Sequence, residues 1–566
     1  GSVDYNNEAI DGNVNVTISP RQPGSTMKPF TYAAAMELGL TPADIIWDTP
    51  TDIAGYAPRN YDNSFHGPVR MRVALASSYN IPAVQTLRAI GVDTLLAFMQ
   101  RFGVQSLGTD ASRYGLSLTL GGGEITLLEL TRAYSVFANG GVYVPSTAIL
   151  CVLDGDDNIV YQYENGCPKG NTTPNTLNEA GYGQLVLDPR IAFIISDILA
   201  DNAARAPGMG ANSPLRTDFG ASVKTGTTDD FKDNWTVGYT RNVAVGVWVG
   251  NSRGEPMVNS SGLTGAAPIW NSVITSIYNN QSLLQRLAVD GQLQPNQLDV
   301  PQGISRRALC DVASLRDPAT QCASTVQEWM LDGPAGIPDG NGGLQFPPPA
   351  PPANNQPPAT GPWLQEVEPD IYRVLVQPLP PEVGAQIQFT VGPGQTPPPA
   401  PIYCQVPIEA QAVATGAQEQ LFIAPPPDPE DAVRAEQWAR SQGIAFLPTI
   451  ACDAGLLSLA SNPQPMVVTA QIQSPAPGQI VSGGMPIIGT VQFSPDQALY
   501  YKIEITGGQF GDNWVTLGET HSNSVVNGQL EYLSPLPPAG YQIRLVVVGH
   551  DGNFVQPPYT VPFTVQ

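Results

Sequence analysis

Charged residues are scarce in this sequence, and cations are the scarcest. Only 13% of the 566 residues are charged, with 26 Lys and Arg against 49 Asp and Glu, so the formal net charge is −23 at pH 7. A chain this acidic repels phosphates instead of releasing their counterions. The composition therefore argues against a nucleic-acid partner and against binding to an anionic membrane surface.

The usual metal ligands are also few. The three histidines, His66, His521 and His550, are widely scattered, and no two of the six cysteines are spaced Cys-x-x-Cys. Both features argue against a multi-histidine site or a zinc ribbon, so we expect no metal and no cofactor. His66 lies in a polar stretch, Asn63 to Gly67, and we interpret it as an exposed loop residue. Any serine nucleophile is then expected to use a base other than histidine.

Long apolar runs are missing too. The best candidate, Val243 to Gly250, is far shorter than the ~20 residues that span a bilayer. The first residues, from Gly1, lack the basic region and the apolar core of a signal peptide. We expect a soluble fragment, with any export signal or membrane anchor upstream of residue 1.

The six cysteines allow fifteen disulfide connectivities, among which the sequence does not choose. Pairing between neighbours would give bridges 151–167, 310–322 and 404–452, so that each candidate module would carry its own. The alternative is buried free thiols in a reducing compartment.

Proline and glycine are abundant, with 56 of each. Because 42% of the residues are hydrophobic, the chain is not wholly disordered, and we expect the prolines to be concentrated in linkers. The patterns predict a mixed domain at 1–285, a Cys-containing accessory segment at 286–345, a Pro-rich linker at 346–361, a small mixed module at 362–460 and an Ig-like β-sandwich at 463–566.

The first segment carries helical patterns followed by strand patterns. Helices are predicted at 28–38, 70–77, 81–90, 92–102, 125–138 and 191–204, and strands at 219–228, 234–240 and 243–249. Helices first and sequential strands last predict an α+β fold with an antiparallel sheet.

Ser25 and Lys28 form a Ser-x-x-Lys pattern at a predicted helix start. Residues three apart share one helix face, so Lys28 can reach the Ser25 hydroxyl. The helix N-terminus disfavours a cation and supports developing negative charge, which helps a neutral lysine to remove the serine proton. The Ser25 N–H is also free to serve an oxyanion hole. Alone, the pattern is also compatible with a simple N-cap.

Two further patterns follow in order. Ser78 and Asn80 form a Ser-x-Asn where a predicted helix gives way to Ile81-Pro82, and Lys224, Thr225 and Gly226 stand at the end of a predicted strand. The chain has only five lysines, and two of them fall in these patterns. The three patterns in this order are far more specific than any one of them.

Together, the patterns resemble those of the penicillin-binding proteins. Four flanking stretches resemble the class A, bifunctional subgroup: Arg21–Ser25, Leu118–Leu130, Ala133–Gly140 and Asn234–Asn251. The resemblance covers residues 1 to about 285. It implies the fold of a transpeptidase domain related to the serine β-lactamases, with helices around an antiparallel sheet, and accessory C-terminal modules.

The resemblance also implies a role for each matching residue. Ser25 would be the nucleophile and Lys28 its base, while Ser78 would return the proton to the leaving group. Asn80 would hold the acyl amide and orient Lys28, and Lys224 would add positive potential near Ser78.

The predicted strand that contains Lys224 would bind substrate. Thr225 and Thr227 lie on one face of it and would bind the substrate carboxylate, and Gly226 would let the substrate backbone lie along it. The Thr227 N–H would complete the oxyanion hole. Strand alternation starts Lys224 toward the other face, so the position near Ser78 that the resemblance implies requires its stem to bend back around the strand.

The implied function is that of a D,D-transpeptidase, which takes stem peptides and lipid-linked precursor strands of peptidoglycan and is acylated by β-lactams. Its expected location is the bacterial cell envelope, outside the cytoplasm. Family members carry a strand of the central sheet before the Gly-Ser-x-Asp-Tyr found here at 1–5, so that strand, a glycosyltransferase domain and a membrane anchor are expected upstream.

Four alternatives, from two classes of protein, stay open at this stage. A D,D-carboxypeptidase or a β-lactam hydrolase would use the same motifs, because only the acceptor that attacks the acyl-enzyme differs. A non-catalytic β-lactam sensor or a cell-wall binding protein is the alternative from another class. Under the leading hypothesis, deletion after about residue 345 is expected to leave penicillin labelling within a few-fold.

Overall fold

The computed structural model describes residues 4–149, 151–162, 183–288, 292–316, 322–346, 364–379, 402–414, 416–448, 450–453, 456–457, 468–493, 497–550 and 552–566. They form two compact units. The first takes the described residues of Gly1–Gln356 together with Glu368–Asp370 and Pro425–Trp438. The second takes the described residues of Pro357–Val367, Ile371–Ala424 and Ala439–Gln566.

The α-helices of the described residues are numbered in chain order. They are α1 (Lys28–Glu37), α2 (Met71–Ala76), α3 (Asn80–Ile90), α4 (Val92–Arg101), α5 (Leu127–Ala138), α6 (Pro189–Ala200), α7 (Asn202–Met209), α8 (Ala267–Asn279), α9 (Gln281–Leu287) and α10 (Pro429–Ser441).

The strands of the first unit are short, and most of them pair in twos. They are β1 (Ile45–Asp48), β2 (Gly67–Arg70), β3 (Val142–Tyr143), β4 (Cys151–Leu153), β5 (Ile159–Gln162), β6 (Gln184–Leu185), β7 (Ser222–Thr227), β8 (Asp233–Tyr239), β9 (Ala244–Gly250), β10 (Ile304–Cys310), β11 (Thr325–Leu331), β12 (Ile337–Pro338) and β13 (Leu344–Gln345).

Helix α1 lies at the centre of the first unit. All residues from Lys28 to Met36 are buried, and the ring of Phe30 meets those of Phe102 and Tyr134 edge-on, with centroids 5.5 and 5.3 Å apart. Helix α5, which supplies Tyr134, begins with a capping box formed by Thr126 and Glu129. An apolar core around α1 therefore fixes the helix that follows Ser25.

Strands β7, β8 and β9 form one antiparallel sheet in chain order. Lys224 pairs with Val237, and Gly226 pairs with Trp235. The predicted antiparallel sheet is found, and its strands are displaced from the predicted bounds by at most three residues at either end. The predicted order of helices first and strands last is wrong in part, because α8 and α9 follow β9.

One predicted helix is wrong as a single element. The span 191–204 belongs to two helices, α6 and α7, that are separated at Asp201. The Asp201 carboxylate accepts hydrogen bonds from the N–H groups of Ala203 and Ala204 at 2.9 Å. An aspartate that caps a new helix satisfies its free N–H groups, which favours a fresh start over continuation.

The accessory segment expected at 286–345 packs within the first unit. Its strands β10 and β11 are antiparallel, and a disulfide joins Cys310 to Cys322. Glu328 of β11 is 3% exposed and accepts a 2.7 Å hydrogen bond from Arg72 of α2. This segment therefore contributes to the core that carries the helices.

The second unit is built from strands. They are β14 (Leu364–Glu368), β15 (Ile371–Leu379), β16 (Ile402–Gln405), β17 (Gln418–Ile423), β18 (Thr469–Ser474), β19 (Gln479–Val481), β20 (Met485–Gln492), β21 (Tyr500–Gly507), β22 (Val515–His521), β23 (Val525–Leu533), β24 (Ala539–Val548) and β25 (Tyr559–Val565). Glu368 of β14 is assigned to the first unit, and the end of α10, from Ala439, to the second. Strands β14–β17 form one sheet, and a second disulfide joins Cys404 of β16 to Cys452.

The last strands form two sheets around one apolar core. The first has the order β18-β20-β23 and the second the order β19-β25-β24-β21-β22. Ile472 and Ile487 of the first sheet share a buried cluster with Ile503, Ile543 and Val561 of the second. Alternation of buried and exposed residues along these strands produces that shared core.

Two of the three neighbour disulfides are thus found. Cys151 is also disulfide-bonded, and Cys167, its expected partner, lies outside the described residues.

Within the described ranges, no single helix is long and apolar enough to span a membrane. Helices α3 and α4 together meet the criteria of length and composition, but they are bent by 92° at their junction.

Candidate functional site

Ser25 lies on a 3-10 turn, Gly24–Met27, that leads directly into α1. Three bonds hold this turn. The Tyr134 hydroxyl donates to the Thr26 carbonyl at 2.8 Å, the Trp235 indole donates to the Gln22 carbonyl at 2.7 Å, and the Thr26 hydroxyl donates to the Pro23 carbonyl at 2.7 Å. Gly24 and Thr26 are buried, whereas Ser25 is half-buried. The turn therefore presents the Ser25 side chain from a rigid support.

Lys28 is the first residue of α1, and its side chain is fully buried. Its Nζ lies 2.5 Å from the Ser78 carbonyl oxygen, 2.6 Å from Asn80 Oδ1 and 3.3 Å from Ser78 Oγ. The two shorter bonds engage two N–H groups, which is the number that a neutral amine possesses. A lone pair then remains for a proton from a hydroxyl nearby.

Ser78 connects the two lysines of the motifs. Its Oγ is 2.7 Å from Lys224 Nζ, and the Lys224 amine also donates to the Thr225 carbonyl at 2.9 Å. The Lys224 stem thus turns back across its own strand to Ser78, a placement that the resemblance implies and that strand alternation alone does not. Ser78 has φ +64°, a left-handed conformation that is uncommon for a residue other than glycine. Such backbone strain persists where the surroundings impose it, and it concentrates at functional sites.

Asn80 begins α3 and is tied on three sides. Its Oδ1 accepts from Lys28, its Nδ2 donates to the Arg59 carbonyl at 2.7 Å, and its backbone N–H donates to Asn60 Oδ1 at 2.7 Å. The amide group is therefore fixed with its oxygen toward the lysine.

Strand β7 lies directly against the Ser25 turn because glycines stand on both sides of the contact. A Cβ atom on Gly226 would collide with the Pro23 carbonyl oxygen, and one on Gly24 would lie 2.7 Å from the Thr227 nitrogen. Gly24 also has φ +59°, which favours glycine. The close approach brings the backbone next to Ser25 beside the backbone of Thr227.

The two threonines of β7 have different surroundings. Thr225 is buried, and its hydroxyl lies 3.7 Å from Met209 Sδ. Thr227 is half-buried, and its Oγ1 accepts the Gly262 N–H at 2.9 Å, so its own proton stays free to donate. Hydrogen bonds thus join Lys28, Ser78, Asn80 and Lys224, and the turn that carries Ser25 lies against the strand of Thr225, Gly226 and Thr227.

The site holds two buried lysines whose pKa values are both lowered. Burial is the main cause that holds the pKa of Lys28 well below its usual value, the Lys224 charge adds to this effect, and Asp48 opposes it. Burial also lowers the pKa of Lys224 to about 7, with a further contribution from the Arg205 guanidinium. A poised lysine pair of this kind is typical of catalytic sites.

A cluster of polar side chains next to Asn80 was not predicted from the sequence. His66, expected as an exposed loop residue, has a side chain only 24% exposed, and its Nδ1 lies 2.6 Å from the fully buried Asp48 carboxylate. Its ring stacks on Tyr79 with the centroids 3.9 Å apart. Asn60 and Asp48 belong to the same cluster as His66. The one signal in the sequence was an aspartate at the end of the apolar strand Ile45–Asp48.

Residues 2–275 match the family described as the penicillin-binding protein transpeptidase domain. Penicillin-binding protein 1C of Escherichia coli (strain K12) is 32% identical over 337 residues, which cover 59% of this chain and 38% of that protein. Penicillin-binding protein 1A of Neisseria meningitidis serogroup A is 34% identical over 278 residues, which cover 48% of this chain and 32% of that protein.

A solved structure of penicillin-binding protein 1A from Haemophilus influenzae aligns with a TM-score of 0.45 and 24% identity, over 57% of this chain and 50% of that chain. This chain thus spans 38% and 32% of the length of the two curated relatives above. The family match confirms the resemblance that the three motifs carry: residues 2–275 belong to the penicillin-binding protein transpeptidase family, of the class A kind.

Proposed function

We propose that the chain is a serine D,D-transpeptidase that acts on peptidoglycan stem peptides ending in D-Ala-D-Ala. The observation that carries the proposal is the Lys28 amine, buried and directed by Ser78 and Asn80, at the first turn after Ser25. A serine beside a neutral buried amine is an activated nucleophile without any need for histidine.

In the acylation step, Ser25 Oγ attacks the carbonyl carbon of the D-Ala-D-Ala bond, and its proton passes to the Lys28 lone pair. The tetrahedral oxyanion is stabilised by the N–H groups of Ser25 and Thr227. Support for this pairing comes from the close approach of Thr227 to Gly24. Two fixed donors cost no reorganisation when charge develops.

When the tetrahedral intermediate collapses, the D-alanine nitrogen needs a proton. Ser78 Oγ lies 3.3 Å from the Lys28 amine and 2.7 Å from the Lys224 amine. A hydroxyl between two amines can deliver its proton to the leaving nitrogen and regain one from Lys28. The same path in reverse activates the acceptor amine that attacks the acyl-enzyme.

Substrate binding uses strand β7. We propose that Gly226 leaves room for the peptide backbone and that Thr225 and Thr227 bind the terminal carboxylate. The Thr227 hydroxyl proton is free for this purpose. Arg205 and the protonated fraction of Lys224 concentrate positive charge in this part of the site, which favours an anionic substrate over a neutral one.

The proposed setting is the bacterial cell envelope, outside the cytoplasm. Its support is the family of residues 2–275 and the disulfides Cys310–Cys322 and Cys404–Cys452, which persist in oxidising compartments. Peptidoglycan strands are the proposed partners, and β-lactams the proposed inhibitors. We further propose that residues 463–566 are a separate β-sandwich module, because their two sheets share a core of their own.

Intact-mass measurement after incubation with a penicillin tests the proposal. The full chain should gain the mass of one penicillin, because the lactam ring resembles the D-Ala-D-Ala terminus and opens onto Ser25. Ser25→Ala should gain none. Labelling that persists in Ser25→Ala would assign the chemistry to another nucleophile, and rapid loss of the label from the parent chain would favour a β-lactam hydrolase.

A second assay separates transpeptidase from carboxypeptidase. A stem peptide offered together with an excess of an acceptor amine should give mainly the crosslinked product. Release of D-alanine without crosslinking would favour the carboxypeptidase. Stable labelling without turnover of either peptide would favour the β-lactam sensor.

A further inference from the structure

A line of hydrogen bonds joins the Lys28 amine to a buried carboxylate that belongs to none of the three motifs. Lys28 donates to Asn80 Oδ1 at 2.6 Å, and the Asn80 N–H donates to Asn60 Oδ1 at 2.7 Å. Asn60 Nδ2 in turn donates to both oxygens of Asp48, at 2.8 and 2.7 Å. One side chain, Asn60, therefore connects Asp48 with the residue that orients the lysine.

Asp48 is held firmly at its own position. It is the last residue of β1, where it pairs with Gly67 of β2, and its side chain is fully buried. Besides Asn60, it accepts bonds from the His66 backbone N–H at 3.1 Å and from the His66 ring at 2.6 Å. The stacking of His66 on Tyr79 then fixes the residue immediately before Asn80.

The segment from Ser78 to Asn80 is thus supported through two contacts that both begin at Asp48. One passes through Asn60 to the backbone of Asn80, and the other passes through His66 to the ring of Tyr79. A buried carboxylate is costly unless its oxygens are paired, and here every partner leads toward the catalytic segment.

We propose that Asp48 is a positioning residue for acylation, which through Asn60 fixes Asn80 and the Lys28 amine and whose negative charge acts on that amine. The inference rests on the proposed function, because it assigns Asp48 to the step in which Lys28 accepts the Ser25 proton. Catalytic groups need such support, since small displacements cost much of their rate.

The charge of Asp48 provides a signature that packing alone does not. Lys224 lowers the pKa of Lys28, whereas Asp48 raises it. Removal of the Asp48 charge should therefore lower the pKa of Lys28 further, so that the neutral amine persists to lower pH. The acylation rate rises with pH as Lys28 loses its proton, and this acid limb should move to lower pH. The other titratable groups around the line are His66, Asp62, Tyr32 and Tyr79.

The test measures the second-order rate of penicillin acylation against pH for the full chain and three variants. Asp48→Asn keeps the shape of the side chain and removes its charge. Asn60→Ser shortens the bridge but keeps Asp48. Asp188→Asn is the matched control, because Asp188 is also fully buried and ion-paired, to Arg190, at the start of α6.

We expect Asp48→Asn to slow acylation about 10- to 100-fold at neutral pH and to move the acid limb to lower pH. Asn60→Ser should slow acylation by a similar factor and leave the limb in place. Asp188→Asn should lower the thermal midpoint. Its acylation rate should stay within a few-fold of the parent rate, and its acid limb should stay at the same pH as in the parent.

Each outcome decides a separate point. If the parent chain acquires no label at Ser25, the proposed function fails and this inference fails with it. If the parent labels and folded Asp48→Asn keeps both its rate and its limb, Asp48 is only structural and the inference alone is wrong. Should Asp48→Asn not fold, Asn60→Ser decides, because a parent-like rate in that variant would overturn the role of the bridge.

Discussion

At the scale of the residue, the protonation state of Lys28 controls the proposed chemistry. Lys28→Arg keeps a long cationic side chain, but guanidinium does not lose its proton near neutral pH. We expect penicillin acylation to slow by at least ~100-fold, the low end for the loss of a general base. Stopped-flow or gel-based labelling with a fluorescent penicillin measures the rate, and circular dichroism verifies the fold.

The comparison variant for Lys28→Arg is His66→Ala. The recorded side-chain bonds of His66 go to Asp48, Asp62 and Asn60, not to Ser25, and Asn60 keeps its own bond to Asn80. The acylation rate of His66→Ala should therefore stay within about tenfold of the parent rate, since the variant loses only contacts that do not touch Ser25 or Lys28. A parent-like Lys28→Arg together with an inert His66→Ala would reinstate a histidine base.

At the scale of the element, the contact between β7 and the Ser25 turn depends on glycine. Gly226→Ala would force the strand away from Pro23 and so separate Thr227 from the turn. Overpacking of this kind costs about 1–3 kcal/mol of unfolding free energy. The acylation rate should fall by more than the loss of folded protein explains, because the oxyanion hole widens.

Gly115→Ala is the matched control for the strand. Gly115 has φ −111°, and nothing lies within 4 Å of the position that a Cβ would take. Urea unfolding and penicillin labelling of both variants test the argument. Equal effects of the two substitutions would show that the strand tolerates a side chain and that the close approach is not required.

At the scale of the whole molecule, the first compact unit extends beyond the boundary predicted near residue 345. Asp431 of α10 is 3% exposed and accepts bonds from Arg88 at 2.7 Å and from Gln85 at 2.9 Å, both of α3. Asp428 also pairs with Arg88, and the Trp438 ring lies against Gly67 of β2. A chain cut after 345 loses these contacts with α3, which carries Asn80, and with β2, which pairs with the strand of Asp48, so we expect it to be less stable.

Point substitutions in the full chain test this support. Asp431→Ala should lower the unfolding free energy of the first unit by about 1–3 kcal/mol, because Arg88 and Gln85 lose a buried acceptor. Glu430→Ala, one residue away with its side chain 79% exposed, should change it little. The loss of penicillin labelling on heating measures the thermal midpoint of each variant. Equal midpoints for Asp431→Ala and Glu430→Ala would show that α10 does not support the site.

The sequence by itself determined the parts of this protein that are local. The Ser-x-x-Lys, Ser-x-Asn and Lys-Thr-Gly residues, the helices around them and the antiparallel order of β7–β9 follow from spacing and periodicity, which act over a few residues. The sequence also proposed neighbour disulfides, of which Cys310–Cys322 and Cys404–Cys452 are present.

Only the tertiary structure decided what supports those residues. Asp48, Asn60 and His66 lie in loops and at a strand end, where hydrophobic periodicity does not indicate which residues meet. They come together because β1 pairs with β2. Arg88 and Asp431 are 343 residues apart, so no local sequence pattern predicts their hydrogen bond. Charged and polar groups find such partners through the packing of whole elements, because a buried charge is tolerated only where the folded chain provides its counterpart.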